Sequence, residues 1–311
     1  SDVCSSDLIR IGYCGPKAKW ERMKWAEFVS YCNERSVDLI WIDLKQPIEK
    51  QGHFDLIIHK LTYIMKGYDI TCNEELLNLY NYIKANNVIL VDDLDQVAVL
   101  LDREELTKKL KTITWPKELS ISIPNAEMLN NESTIENLNA IGKNLRFPII
   151  AKPKSASSSQ GSHTLRLATE IEQLVGVITP SLLQEYINHN GIVYKLYTLG
   201  DTLISGIRPS TRNINKGECI NIDFFSQPSE EAKSIWTPKR DLSKVEMPIE
   251  DFKQISKILR KELKMDLIGF DILIDDDKHY WLVDVNYFPG YKNVDDLWGK
   301  FYNFLIGKIN K

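Results

Sequence analysis

The sequence predicts an α/β unit of about a hundred residues followed by a mixed α+β region, and three observations carry that prediction. Strands and helices alternate at the start of the chain, as a parallel sheet with crossover helices requires. Further along, strand-like runs follow one another directly, with Gly200-Asp201 as a turn signal between two of them. The chain has 311 residues, 43% of them hydrophobic and 26% charged. That composition folds, and the length suits about two domains on a prior of roughly 150 residues each.

Taken in order, Ile9–Cys14 reads as a strand, about 19–34 as a helix, Val37–Ile42 and Phe54–Ile58 as strands, Glu74–Ala85 as a helix and Val88–Leu90 as a strand. The acidic run Asp92-Asp93-Leu94-Asp95 then breaks the pattern and reads as a domain boundary. Ser133-x-x-Glu136 and Thr169-x-x-Glu172 have capping-box spacing, so each is expected to open a helix. Strands are expected at Phe147–Lys152, Leu182–Ile187, Ile192–Thr198 and Thr202–Arg208. Residues 213–248 are polar and show no period, so they read as loop. A helix at Glu250–Leu263, strands at Leu267–Asp275 and His279–Val285 and a helix near Asp296–Ile306 complete the chain.

Lys and Arg number 39 against 43 Asp and Glu, a net charge of −4, which excludes a nucleic-acid coat that works through bulk positive charge. An anionic ligand must therefore meet a local basic site. Five widely spaced cysteines (Cys4, Cys14, Cys32, Cys72, Cys219) form no C-x-x-C pair and suggest neither a disulfide framework nor a zinc cage, so a reducing cytoplasm is expected. No apolar run reaches the ~18 residues of a membrane span, and residues 1–7 lack the basic and apolar regions of a leader and read as a tail.

Asp271 and Asp284 are the most informative pair. A turn centred on Asp277-Lys278 sets them opposite each other across an antiparallel ladder, where like charges destabilise a sheet unless something neutralises them. Asn286 falls on the same face by the period of two, and its amide oxygen is a hard ligand of the kind magnesium accepts. Phe270, Ile272 and Ile274 would oppose Val285, Val283 and Trp281 as an apolar wall. Either aspartate alone reads better as a strand end in water, whereas the three together on one face read as a metal site.

Lys152 ends an apolar strand and Lys195 lies inside another, positions where an ammonium needs a counter-charge. The small, polar loop from Lys154 to His163 reads either as a surface linker or as a cover for phosphates through its backbone N–H groups. Lys17 and Lys60 each follow a strand of the first unit, where a parallel sheet presents its carboxyl ends to ligands. Each also reads as a solvated surface lysine. Together with the hairpin these features fit a nucleoside triphosphate with magnesium, and the sequence has neither a Walker A motif nor the protein-kinase set.

Ile57-Ile58-His59-Lys60-Leu61-Thr62, Leu101-Asp102-Arg103, Gln184–Asn190, Tyr194-Lys195, Arg208-Pro209-Ser210, Gly269-Phe270-Asp271 and above all Asp284-Val285-Asn286-Tyr287-Phe288-Pro289-Gly290-Tyr291 carry a resemblance. From about Ile9 to Gly307 the chain resembles the inositol 1,3,4-trisphosphate 5/6-kinase (inositol tetrakisphosphate 1-kinase) family. The resemblance implies an ATP-grasp fold with an N-terminal Rossmann-like parallel-sheet domain, divided at 8–102, 103–190 and 191–311.

It also implies that Arg103, Lys152, Gln184, Glu185, Tyr186, Ile187, Lys195 and Ser210 contact ATP, and that Asp271, Asp284 and Asn286 hold magnesium, two ions in all. Lys17, Lys60, His163, Lys195, Arg208, Asn286, Gly290 and Lys292 would then face the inositol phosphate, with Lys195, His163 and Asp284 at the reaction centre and Arg212 a further candidate. Family members commonly carry a further histidine and glycine after the loop lysine, where this chain has Ser157-Ser158-Ser159. The reaction implied is transfer of the ATP γ-phosphoryl group to a ring hydroxyl of inositol tris- or tetrakisphosphates, with reverse transfer to ADP as an extension. A monomer is expected, acting on small molecules and not on nucleic acid or membrane. A carboxylate–amine ligase and a non-catalytic inositol phosphate sensor are the rival readings.

Overall fold

The computed structural model describes residues 8–65, 69–155, 164–225, 235–237, 241–292 and 294–310. In the first domain β1 (Ile9–Cys14), α1 (Lys17–Arg22), α2 (Trp25–Asn33), β2 (Val37–Trp41), β3 (Leu56–His59), α3 (Glu74–Asn86) and β4 (Ile89–Val91) form a four-stranded sheet in the order β2-β1-β3-β4, with every pair parallel. The expected single helix over 19–34 is two, because Lys24 sits at φ 57°, in the left-handed region that interrupts a helix. Apolar alternation continues across that break, which is why periodicity alone reads through it.

Helices α4 (Leu94–Leu101) and α5 (Arg103–Lys111) follow without a linker. Within the acidic run the Asp93 carboxylate caps α4 by accepting from the backbone of Asp95 and Gln96, and beyond the run Asp102 caps α5 in the same way through Glu104 and Glu105. Next come β5 (Ile121–Ser122), β6 (Ala126–Leu129), α6 (Ile135–Gly142), β7 (Ile149–Pro153), β8 (Thr164–Ala168) and β9 (Ser181–Glu185). Both capping predictions miss by one residue. Thr134, not Ser133, caps α6, and Glu170 with Gln173 forms the box of a short 3-10 turn where Thr169 was expected to open a helix.

The chain ends with β10 (Ile192–Leu199), β11 (Thr202–Pro209), β12 (Asn221–Phe225), α7 (Ile249–Leu263), β13 (Ile268–Ile274), β14 (Tyr280–Tyr287) and α8 (Leu297–Ile309). Two further five-stranded sheets result, ordered β12-β8-β7-β9-β6 and β11-β10-β13-β14-β5. Neither follows chain order. Strand β12 lies in the central sheet although it comes from the stretch read as loop, while β5 runs parallel beside β14 in the C-terminal sheet. A five-residue edge strand in a polar stretch leaves too short an alternation to be seen.

Burial divides the molecule differently from the sheets. One core runs from Ile57 and Leu79 of the first domain through Leu106 of α5 to Phe252, Phe270 and Leu282. A second joins Trp25 and Phe28 to Phe288, Tyr291 and Phe301. The central sheet has its own cores, around Leu138 and Ile149 on one face and around Tyr186 and Phe224 on the other. The first and C-terminal domains are thus one packed body, and the central domain is a second.

Asp92 fastens that first body. It is 4% exposed, and its two carboxylate oxygens accept from the amides of Asp266 (2.8 Å) and Leu267 (2.9 Å). Burial pushes its pKa up to about 7, against the pull of those two bonds. The folded protein therefore holds this proton more tightly than the unfolded chain. The contribution of Asp92 to stability is complete below the ordinary carboxylate range and is lost as pH rises through about 7. Asp92→Asn keeps one acceptor and turns a donor toward the second amide, so it should cost about 1–3 kcal/mol. It should also flatten the decline in stability between pH 5 and pH 8, measured by urea unfolding; an unaltered slope would remove Asp92 from the account.

Candidate active site

Three adjacent strands place three charges in one row. Lys195 on β10 pairs with Asp271 on β13, and Asp271 pairs with Asp284 on β14. The Lys195 Nζ lies 2.5 Å from Asp271 Oδ2. Asn286, opposite Gly269 in the next row, donates from its amide to Asp284 Oδ2 at 2.7 Å. Burial raises the Asp271 pKa, Lys195 opposes that rise and Asp284 adds to it. The like-charge pair expected to need a cation is therefore offset in part by a lysine on the neighbouring strand.

The hairpin register holds as expected as far as Asp284 and then slips. Ile272 pairs with Leu282 and Ile274 with Tyr280, so the expected partners Val283 and Trp281 are each displaced by one. Val283 is the extra residue of a bulge, a feature that re-aims groups beside an active site. Its carbonyl oxygen accepts from Lys152 Nζ at 3.2 Å. Lys152 reaches across from β7 of the central sheet, and burial pulls its pKa down to about 8 while Asp284 opposes the fall.

Arg103, Lys152, Gln184, Leu182 and Asp284 line one narrow cleft between the two sheets. The Arg103 guanidinium donates to the Pro153 carbonyl and, at 3.2 Å, to that of Ser155, so α5 holds the end of β7 and the start of the loop beyond it. Lys154 is occupied there, paired with Glu104 at 2.6 Å. Gln184 is buried on the cleft face. The side chains of its neighbours point elsewhere: Glu185 takes the Arg146 guanidinium at 3.0 Å and the Arg146 amide at 2.9 Å, and the Tyr186 hydroxyl bonds Thr211 and the Arg212 carbonyl. Glu185, Tyr186 and Ile187 can therefore meet a nucleotide through backbone, not through the first two side chains.

On the other side of Asp284 and Asn286 the first domain closes in. The Tyr287 hydroxyl lies 2.8 Å from the His59 carbonyl and accepts from the Asp92 amide at 3.2 Å. One residue on, Phe288 at φ 41° turns its carbonyl to Lys60 Nζ at 2.9 Å, with the Phe288 ring centre 3.9 Å from that nitrogen. Burial, then the charge of Lys19, pulls the Lys60 pKa down to about 7. Lys17 is exposed at the start of α1, its ammonium 4.6 Å from the Trp41 ring centre. Gly290 and Lys292 are exposed just beyond Phe288, and a side chain at Gly290 would meet open space.

Several expected residues stand apart or are otherwise engaged. Arg208 is exposed on β11 opposite Val193, and Arg212 is spent on Glu218 at 2.6 Å. His163 and Ser157-Ser158-Ser159 lie outside the described residues. Sequence reasoning missed Lys19, which bonds Thr62 beside Lys60, and it missed the joint that Asp92 and Tyr287 make between the first domain and the C-terminal sheet. Lys19 follows Lys17 by two residues in the same short helix α1, which was the available signal.

The decisive likeness is to families of known proteins. The inositol 1,3,4-trisphosphate 5/6-kinase pre-ATP-grasp domain matches residues 10–97, and the ATP-grasp domain of the same family matches residues 115–307. This chain belongs to the inositol 1,3,4-trisphosphate 5/6-kinase family. An inositol-tetrakisphosphate 1-kinase from Danio rerio is 31% identical over 96% of this chain and 80% of its own length, and inositol-tetrakisphosphate 1-kinase 1 from Arabidopsis thaliana is 29% identical over 91% and 90%. Among solved structures, a D-alanine–D-alanine ligase from Bacillus anthracis complexed with ATP aligns over 98% of this chain and 97% of its own with a TM-score of 0.57 at 15% identity. A D-cycloserine synthetase covers 96% of this chain and 99% of its own with a TM-score of 0.62 at 9% identity. At such identities these structures establish the ATP-grasp fold alone.

In this 5/6-kinase family member the donors fit a hard cation. Among the described residues no trio of His, Cys, Asp and Glu could hold a metal by itself. Two carboxylates and an amide are what magnesium takes when phosphate oxygens and water complete its shell. Lys195→Met leaves Asp271 facing Asp284 without its lysine and should cost about 1–3 kcal/mol. Magnesium should then raise the melting temperature of this variant more than that of the parent. A variant whose melting ignores magnesium would count against Asp271, Asp284 and Asn286 as a cation site.

Proposed function

We infer that this protein is an ATP-dependent inositol polyphosphate kinase, transferring the γ-phosphoryl group to a ring hydroxyl of an inositol tris- or tetrakisphosphate. The observation that carries the reading is the continuity of β14, which bears Asp284 and Asn286 and runs on through Phe288 to the first-domain lysine Lys60. A site for transfer and a site for a polyanion are thereby adjacent. A bare ATP-grasp ligase reading explains the nucleotide cleft but gives no use to the first-domain lysines Lys17 and Lys19 or to Lys60, which reaches the end of β14 at the Phe288 carbonyl.

The nucleotide is read in the cleft between Lys152 and the C-terminal sheet, its base against the backbone of Gln184–Ile187. Lys152 and Arg103 balance the phosphate charge from one wall and Lys195 from the other, an electrostatic route that suits a loose transition state and needs little base assistance. Asp271, Asp284 and Asn286 would hold magnesium, which would supply further charge neutralisation during transfer. Lys17, Lys60, Lys292 and the open backbone at Gly290 bind and orient the acceptor, with His163 and Arg208 as outer contacts. We place the protein in a reducing compartment, in keeping with the four described cysteines all being free, and read it as acting as a monomer. No described helix is long and apolar enough to cross a membrane.

Incubation with ATP, magnesium and a panel of inositol tris- and tetrakisphosphates, with products resolved by isomer, tests the reading. Formation of ADP with a more highly phosphorylated inositol supports it. ADP and free phosphate formed only with an amine and a carboxylate would point to the ligase.

Two expectations refine the test. Asp284→Asn should lower turnover by at least ~100-fold, since a lost metal-ligand charge removes several kcal/mol of transition-state stabilisation. Steady-state kinetics at saturating magnesium checks it, and near-normal turnover would dismiss the hairpin. For Lys60 the sign follows from its pKa of about 7: only the charged form attracts phosphate, so KM for the inositol phosphate should rise as pH climbs from 6 to 8. Lys60→Arg, charged throughout, should flatten that profile, whereas a profile unchanged in this variant would assign the titration elsewhere.

A further inference from the structure

Two lysines at the end of β7 both leave the central domain, and they are used differently. Lys152 reaches the Val283 carbonyl and lines the cleft with Arg103 and Asp284. Lys154, two residues on, is not part of that lining. Its ammonium pairs with Glu104 Oε2 at 2.6 Å and with Asp102 Oδ2 at 3.5 Å.

That pair crosses between two separately packed bodies. Helix α5 buries Leu106 and Leu110 in the core shared by the first and C-terminal domains, while Ile149 and Ala151 of β7 belong to the core of the central domain. Three consecutive residues on each side meet at the crossing. Asp102 bridges to Ser155, the Arg103 amide donates to the Lys154 carbonyl at 3.0 Å, and the Arg103 guanidinium donates to the Pro153 and Ser155 carbonyls. Glu104 completes the set by taking the Lys154 ammonium, which adds a tie between side chains to bonds made on backbone. The bond from Lys154, then that from Lys108, holds the Glu104 carboxyl below its ordinary range, so it is ionised at neutral pH. The Lys154 and Glu104 side chains are 30% and 22% exposed, against 61% and 55% for the neighbouring pair Lys108–Glu105. Shelter of that degree separates the pair from the surface ion pairs that contribute nothing measurable.

We propose that Lys154 and Glu104 are positioning residues for the nucleotide: their ion pair fixes the end of β7 against α5 and so sets the spacing of Lys152 and Arg103, which come from different bodies to one wall of the cleft. The proposal rests on the reading of that cleft as the nucleotide site. It takes Lys154 itself out of contact with phosphate.

The test compares Lys154→Met, Glu104→Gln and the double variant with the parent. It reads kcat, KM for ATP and for the best acceptor of the inositol phosphate panel, Kd for ATP by calorimetry without acceptor, and the melting temperature. Each single variant should raise KM and Kd for ATP about two- to fivefold, with kcat and KM for the acceptor unchanged. The double variant should lose no more than either single one, since both substitutions remove the same interaction. If Lys154→Met weakens ATP binding while Glu104→Gln leaves it unchanged or tightens it, Lys154 is a phosphate contact for which Glu104 competes, and the proposal falls. Additive losses overturn it as well. A structural role alone would lower the melting temperature and kcat with both KM values in place, which is a third contrary result. Kinase activity in the parent with no change of the ATP constants in any variant removes the positioning role and leaves the nucleotide reading standing. Failure of the parent to bind ATP at all overturns both.

Discussion

The Tyr287 hydroxyl is the contact on which the arrangement depends. It lies between the His59 and Val91 carbonyls and the Asp92 amide, at the carboxyl ends of β3 and β4, and it belongs to the strand that carries Asp284 and Asn286. The ligand-facing edge of a parallel sheet is thereby fixed against the hairpin of Asp271 and Asp284. Asp92 then accepts from Asp266 and Leu267 at the start of β13, which closes the same joint from the other side. The buried Tyr287 hydroxyl and Asp92 carboxylate are tolerated here because each meets partners of the right polarity.

Charge is handled in the same way. Asp271, Lys152 and Lys60 are all desolvated, and each is shifted toward its neutral form by burial. None is left without compensation. Lys195 answers Asp271, the Val283 carbonyl in the bulge answers Lys152, and the Phe288 carbonyl and ring answer Lys60. Groups held by neutral carbonyls keep their capacity for an anion, since nothing of opposite charge has to be displaced first.

Much of this was legible in the residues. The alternation of β1 to β4, the long β10, β11, β13 and β14 and the pairing of Asp271 with Asp284 follow from periods and turn chemistry that short windows reveal. The bulge at Val283 was not, because a single inserted residue changes the register without changing composition. Nor were the two sides of the hinge: Gln184 and Glu185 look alike in sequence, and only the presence of Arg146 behind the strand shows that Glu185 faces away. Lys17 and Lys60 could be placed at strand ends, but Lys19 and the aromatic wall of Trp20 and Phe288 around Lys60 come from tertiary packing. β12 escaped notice because an edge strand with one covered face needs few apolar residues.

The distribution of cores has a consequence for how the enzyme can diversify. Lys17, Lys19, Lys60, Asn286, Gly290 and Lys292 all stand on the body formed by the first and last domains, whereas Lys152 and Gln184 stand on the separately cored central domain. Substitutions around the first-domain lysines leave the second body's packing untouched, whereas Arg103 on α5 and Lys195 on β10 stand on the first body and reach toward Lys152 of the second. The packing of the central domain and that of the joined first and last domains are therefore two separable inheritances, which face each other where Lys152 reaches the Val283 carbonyl beside the row of Lys195, Asp271 and Asp284.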